Sequence, residues 1–151
     1  YYASDPCFAI GDFEGAKKRG AKYRNFPAYA YATQAAIVEV DTETGEVWLL
    51  KIIAAHDVGR AINPHIIEGQ MHGSCSMGQG YALTEGYPTE NGYPVKTLYR
   101  QLGLPRAEDT PDYEIILIED PEPQGPFGAK GISEVATVPV TPAILNASTN
   151  A

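Results

Sequence analysis

The sequence predicts an α+β fold in which a β-hairpin and one further strand pack with a long glycine-rich helix and a C-terminal helix. Three observations carry this expectation. Two β-rich runs, 28–40 and 47–55, flank the turn cluster Asp41-Thr-Glu-Thr-Gly-Glu46, which reads as a hairpin. Asn63-Pro64 is a helix start, because the Asn side chain accepts from the first free N–H groups and Pro fits the first helical position. A third apolar and β-branched run, 113–119, leads into a glycine-rich loop and a final helical stretch.

Taken in order, residues 1–25 are expected to be irregular, since Gly11, Gly15 and Gly20 break any sustained pattern. The second hairpin strand, Val47-Trp-Leu-Leu-Lys-Ile-Ile-Ala-Ala55, is almost continuously apolar, which suggests cover on both faces, with Trp48 as a packing residue. The helix should run from Pro64 to about Leu83. Its interior carries Gly69, Gly73, Gly78 and Gly80, each unfavourable by about 1 kcal/mol relative to Ala. Something must offset this, and two explanations are open: close approach of another backbone, or of a large flat ligand. Pro88, Asn91-Gly92, Pro94, Pro105 and Pro111 make 86–112 a long surface excursion, with at most a short helix near 97–102. From Val135 a helix should begin, break near Pro139 and resume after Pro142.

With 15 glycines and 12 prolines in 151 residues, much of the chain must be loop, as expected of a piece of something larger. A formal net charge of -8, with Lys17-Lys18-Arg19 the only basic run, argues against nucleic-acid or anionic-membrane partners. The first residues carry neither a basic nor an apolar leader region, and no apolar stretch is long enough to span a bilayer, so the expected location is the cytoplasm. Cys7 and Cys75 cannot form a zinc or iron-sulfur ligand set, and Cys75 reads as a small core residue. His65 and His72 lie seven residues apart, where a zinc helix needs four, so no metal held by side chains is expected.

Chemistry concentrates in Glu119-Asp-Pro-Glu-Pro-Gln-Gly-Pro-Phe-Gly-Ala-Lys-Gly-Ile-Ser-Glu134. Gly125, Gly128 and Gly131 permit tight turns, close approach to a bulky ligand and exposed N–H groups that favour an anionic partner. The loop delivers one carboxylate, Glu134, to the start of a helical segment. That placement suits a catalytic base, and it equally suits an ordinary surface turn in which Glu134 is a cap.

Two further blocks accompany that loop, His56-Asp-Val-Gly-Arg-Ala-Ile-Asn-Pro64 and Gly69-Gln-Met-His-Gly-Ser-Cys-Ser-Met-Gly-Gln-Gly80. With the three blocks in this order, the chain resembles the C-terminal part of the molybdenum-binding subunit of the xanthine dehydrogenase and aldehyde oxidase family, the molybdenum hydroxylases, over residues 26–147. The resemblance implies a portion of a molybdopterin-binding domain that holds a molybdenum cofactor through its pterin rather than through side chains. It implies cofactor contacts from Gly69, Gln70, Gly128, Ala129, Lys130 and Gly131, and Glu134 as the general base. The implied reaction is oxidative hydroxylation of a purine such as xanthine or hypoxanthine with water-derived oxygen. Oxidation of an aldehyde by the same chemistry is the nearest variant, and a non-catalytic interaction domain is the other alternative. Iron-sulfur clusters and FAD are expected on other domains or subunits. His72 reads as a packing residue near the site, while Met77 and Gln79 depart from the residues most relatives carry. The chain lacks the Gly-Gly-Gly-Phe-Gly-Gly stretch and the arginine-bearing motif of the family's earlier domains. Residues 1–151 are therefore expected to be one part of a longer protein and inactive alone.

Overall fold

The structure is a computed structural model that describes residues 28–123 and 125–151. The irregular region expected at 1–25, and Cys7 within it, lie outside the described residues.

Strand β1, Ala32–Val40, pairs antiparallel with β2, Val47–Asp57, so that Ala32 faces His56 and Val40 faces Val47. The connecting turn is closed by Asp41, whose Oδ1 accepts from the N–H of Glu43 at 2.8 Å and of Thr44 at 3.2 Å, and by Gly45 at φ +77°. Pairing jumps from Ile37–Lys51 to Val38–Leu49, which leaves Leu50 as the extra residue of a β-bulge. The bulge switches which residues face inward. Leu49 is buried before it, and Ile52, Ala54 and His56 after it. This corrects the expectation of a strand covered on both faces: Trp48 is 42% exposed and Leu50 47% exposed. Two alternating patterns out of phase by one residue read, in sequence, as one continuous apolar run.

Helix α1 spans Pro64–Leu83, with Asn63 Oδ1 accepting from the N–H of Ile66 at 3.2 Å, as the capping signal predicts. The excursion that follows contains a two-residue hairpin that sequence reasoning did not anticipate, β3 (Thr89–Glu90) and β4 (Tyr93–Pro94), turned by Asn91 and Gly92, both at positive φ. A 3-10 turn at Tyr99–Gln101 occupies the place of the expected short helix. Strand β5, Asp112–Ile118, then adds parallel to β2 and completes a sheet of order β1-β2-β5.

At the C-terminal end a 3-10 turn, Glu134–Thr137, precedes helix α2, Val140–Thr149. The break falls at Val138–Pro139 as expected, but the helix resumes before Pro142 rather than after it. Pro142 is the third helical residue, where its missing N–H would have had no intrahelical partner.

The core forms between the sheet and the two helices from Leu49, Ile52, Ala54, Val58, Ile67, Met71, Cys75, Ala136, Val140 and Ile144. Burial pushes the Cys75 thiol up to about 11, which makes it an inert packing residue. Among the described residues no helix is long and apolar enough to cross a membrane.

Candidate cofactor-binding and catalytic site

Parallel pairing brings the C-terminal ends of β2 and β5 to one edge of the sheet, and the glycine-rich loop is stitched to that edge. Val58 N–H donates to Ile118 O at 2.9 Å, Lys130 N–H to Val58 O at 3.0 Å, and Arg60 N–H to Gly128 O at 2.8 Å. Gly59 sits at φ +63° so close to the loop that a Cβ would lie 2.8 Å from Lys130 N and would also strike Gly128 O. Only glycine meets both conditions. Within the loop, the N–H of Gly128 is taken by Gly125 O and that of Ala129 by Pro126 O. The donors expected to face a ligand are thus partly consumed: those of Gly128 and Ala129 close the loop on itself, and that of Lys130 binds it to Val58. The N–H groups of Gly131, Ile132 and Ser133 meet no backbone acceptor among the described residues.

Lys130 is not a solvated charge. Its Nζ lies 2.5 Å from Asp57 Oδ2, with the two side chains only 5% and 7% exposed, and 5.8 Å from the centre of the Tyr31 ring. Burial pushes the Asp57 carboxyl up. The Lys130 ammonium and the N–H of Gly59, which donates to Oδ1 at 2.9 Å, outweigh it and hold the group below its ordinary value of 3.8. The hydrogen bond to Asp57 correspondingly raises Lys130 above its ordinary 10.5. The pair clamps the loop to the end of β2.

The second part of the site is a flank of α1. Gly69, Gln70 and Gly73 are exposed, and nothing lies within 4 Å of where a Cβ would stand on either glycine. One turn beyond Gln70 on the same face, the buried Ser74 Oγ donates to Ser133 O at 3.0 Å. That bond ties the helix to the residue immediately before Glu134. Three residues on, Ala136 O accepts from Gln34 Nε2 of β1 at 2.9 Å. Glu134 is exposed, opens the 3-10 turn, and its carboxylate makes no hydrogen bond or ion pair among the described residues. It therefore caps nothing here.

The predicted site residues thus fall into two groups. Gly69 and Gln70 stand on the exposed flank of α1 one turn before Ser74, whose bond to Ser133 O ties that helix to the residue preceding Glu134, and Gly128, Ala129 and Lys130 lie in the loop bonded to the end of β2, with Gly131 following them. His72 points elsewhere, its ring 5.2 Å from that of Tyr113 at 34°. Gln79 is buried and donates to Asp109 O at 2.8 Å, which gives its departure from the family pattern a structural role. Met77 is exposed.

Sequence reasoning missed Gln34. Its amide also lies 2.8 Å from Nε2 of His56, a ring 1% exposed whose burial lowers its pKa below the ordinary 6.5 and keeps it neutral. The available signal was a lone carboxamide at an inward position of a strand, in phase with Ala36 and Val38.

An open flank at Gly69 and Gly73, the exposed Gln70 carboxamide offering both donor and acceptor, and successive N–H groups without a backbone acceptor among the described residues suit a large planar polar cofactor with an anionic part. Among the described residues no group of His, Cys, Asp or Glu side chains could hold a metal ion directly. The family model of the molybdopterin cofactor-binding domain matches residues 1–111. The chain belongs to the molybdenum hydroxylase family. Its α+β architecture is that of a portion of the family's molybdopterin-binding domain. It is 36% identical over 122 residues to a probable hypoxanthine oxidase of Escherichia coli, covering 80% of this chain and 13% of that protein. It is 34% identical over 126 residues to the carbon monoxide dehydrogenase large chain of Hydrogenophaga pseudoflava, covering 79% and 15%. The crystal structure of quinoline 2-oxidoreductase from Pseudomonas putida superposes with a TM-score of 0.73 at 34% identity, covering 80% of this chain and 16% of that one. The chain thus spans about a sixth or less of the length of each of these three proteins.

Proposed function

We propose that this chain is the C-terminal part of the cofactor-binding domain of a cytoplasmic molybdenum hydroxylase that hydroxylates a purine such as xanthine or hypoxanthine, with Glu134 as general base. The observation that carries this reading is the state of Glu134: an exposed carboxylate without a partner, on a turn tethered on both sides, beside the open flank of α1. A purine is favoured by the Escherichia coli relative named as a probable hypoxanthine oxidase. Another N-heterocycle is the second reading, supported by the likeness to a quinoline oxidoreductase.

When bound, the molybdenum cofactor supplies the two-electron oxidation through which an electron-poor ring carbon gains a water-derived oxygen. Gln70 hydrogen-bonds it from α1, where Gly69 leaves its edge room to approach. Gly128, Ala129, Lys130 and Gly131 form the loop that borders it, the Lys130 ammonium acting through its grip on Asp57 rather than as a free cation. Glu134 accepts the proton that water loses as its oxygen attacks, a role that contributes roughly 10²–10⁴-fold to rate. The remaining domains of the subunit, with iron-sulfur and flavin domains or subunits, complete the enzyme and carry the electrons away.

The test is Glu134→Gln in the full-length subunit assembled with its partners. Purine turnover should collapse by about 10²–10⁴-fold while molybdenum and pterin content stay at the wild-type level. Unchanged turnover would overturn the assignment.

A further inference from the structure

The turn that carries Glu134 is poorly equipped to hold itself. It is a four-residue 3-10 segment without a side-chain cap from Ser133, and three residues before it stands Gly131, where a Cβ would meet nothing within 4 Å. Hydrogen bonds in such turns have poorer geometry than those of an α-helix. Beside the burial of Ala136 in the core, its order comes from two carbonyls that bracket the carboxylate.

Ser133 O, one residue before Glu134, takes the hydroxyl of the buried Ser74 on α1. Ala136 O, two residues after it, takes the Nε2 of Gln34 on β1. One tether belongs to a twenty-residue helix and the other to the sheet, so the turn is pinned between the two most regular elements of the fold. Gln34 is itself oriented. One amide hydrogen meets Ala136 O and the other faces Nε2 of His56, which accepts it when the imidazole carries its proton on Nδ1, while Oε1 is buried without a partner among the described residues. Turning the amide over would set oxygen against the Ala136 carbonyl, which can only accept, so the donor is fixed toward the turn.

We propose that Gln34 and Ser74 are positioning residues for Glu134, holding the turn in the one orientation that aims its carboxylate along the open flank of α1. This rests on the reading of Glu134 as the general base. Neither residue touches substrate or cofactor. Each acts through a backbone carbonyl, and a displacement of about 1 Å at a reacting group lowers turnover by about 10²-fold.

The experiment compares Gln34→Met, which keeps the shape and removes both donors, Ser74→Ala and Glu134→Gln in the full-length, cofactor-loaded enzyme. Turnover is referred to bound molybdenum, KM is measured for the purine, and hydrogen exchange is followed by mass spectrometry. In both positioning variants kcat per molybdenum should fall about 10- to 100-fold with KM changed less than about twofold. Exchange should quicken in peptides covering 132–138 and stay unchanged in those covering 140–149. A merely structural role would lower molybdenum content instead and leave kcat per molybdenum intact, and that result overturns the proposal. If Gln34→Met does not load, Ser74→Ala, which deletes only a hydroxyl, decides by the same readings. Normal turnover in Glu134→Gln would remove the base and the proposal together, whereas a dead Glu134→Gln beside fully active positioning variants would remove the proposal alone.

Discussion

The two halves of α1 use the same residue for opposite purposes. In the C-terminal half, Gly78 lies against Val140 of α2 so tightly that a Cβ would overlap that side chain, and Thr141 Oγ1 donates to Gly78 O at 3.0 Å. A Cβ on Gly80 would collide with Glu85 and come within 2.9 Å of Pro105. In the N-terminal half, Gly69 and Gly73 face open space. Glycine in the first case admits a neighbouring helix. In the second it admits nothing that belongs to the fold, although each residue still carries the helix-propensity penalty of about 1 kcal/mol. The proposed cofactor on that flank would offset this cost, and the difference shows that a glycine-rich helix must be read turn by turn.

The contrast can be broken most sharply at Gly73. Gly73→Leu should leave the fold intact and reduce cofactor affinity by about 100-fold, equivalent to about 2.8 kcal/mol, as read from molybdenum and pterin content of the full-length subunit at matched expression. Normal loading would end the argument for a ligand on this flank. In the other half of the helix, Gly78→Val should lower stability by about 2 kcal/mol through overpacking against Val140, seen as a lower denaturation midpoint, with cofactor lost only in proportion to folded protein.

The loop clamp gives a third, pH-dependent contrast. Because the folded Asp57 carboxyl sits below its ordinary 3.8, the pair contributes stability above about that pH and loses it as the pH falls through the lower folded value. Its partner, raised above 10.5, sets the opposite limit: the contribution is full below 10.5 and fades as the pH rises through the folded value. Asp57→Asn should therefore cost about 3–5 kcal/mol at neutral pH, and the gap from wild type should narrow in strong acid, as followed by circular dichroism. The smallest effect has the opposite sign. Gly69→Ala should stabilise the cofactor-free protein by about 0.5–1 kcal/mol, detectable as a small rise in Tm.

Much of this was legible in the sequence because the signals were local. Asn63-Pro64 set the start of α1 to the residue, and Asp41 with Gly45 marked the hairpin turn. What escaped depended on partners distant in sequence. Leu50 became a bulge only through its pairing with β1, and the strand's exposed face followed from that. Nothing in the sequence linked Lys130 to Asp57, which lies far away along the chain, and Gln34 gave no hint of its two partners, His56 and Ala136, one of which is met at a backbone atom. Of the candidate site, the motifs located the loop and the helix flank. The bonds that hold Glu134 between them required the fold.

The parallel alignment of β5 with β2 has a consequence in time. The hairpin joins neighbours in the chain and closes quickly, whereas β5 must reach β2 across α1 and the whole excursion that follows it. The glycine-rich loop hangs from the far end of β5 and docks on Gly59 only when that distant pairing is made. During synthesis, the hairpin and helix therefore exist before any cradle does, and the turn bearing Glu134 leaves the ribosome after every other part of the sheet. In the proposed reading, the loop that borders the cofactor is therefore in place only after this long-range pairing has formed.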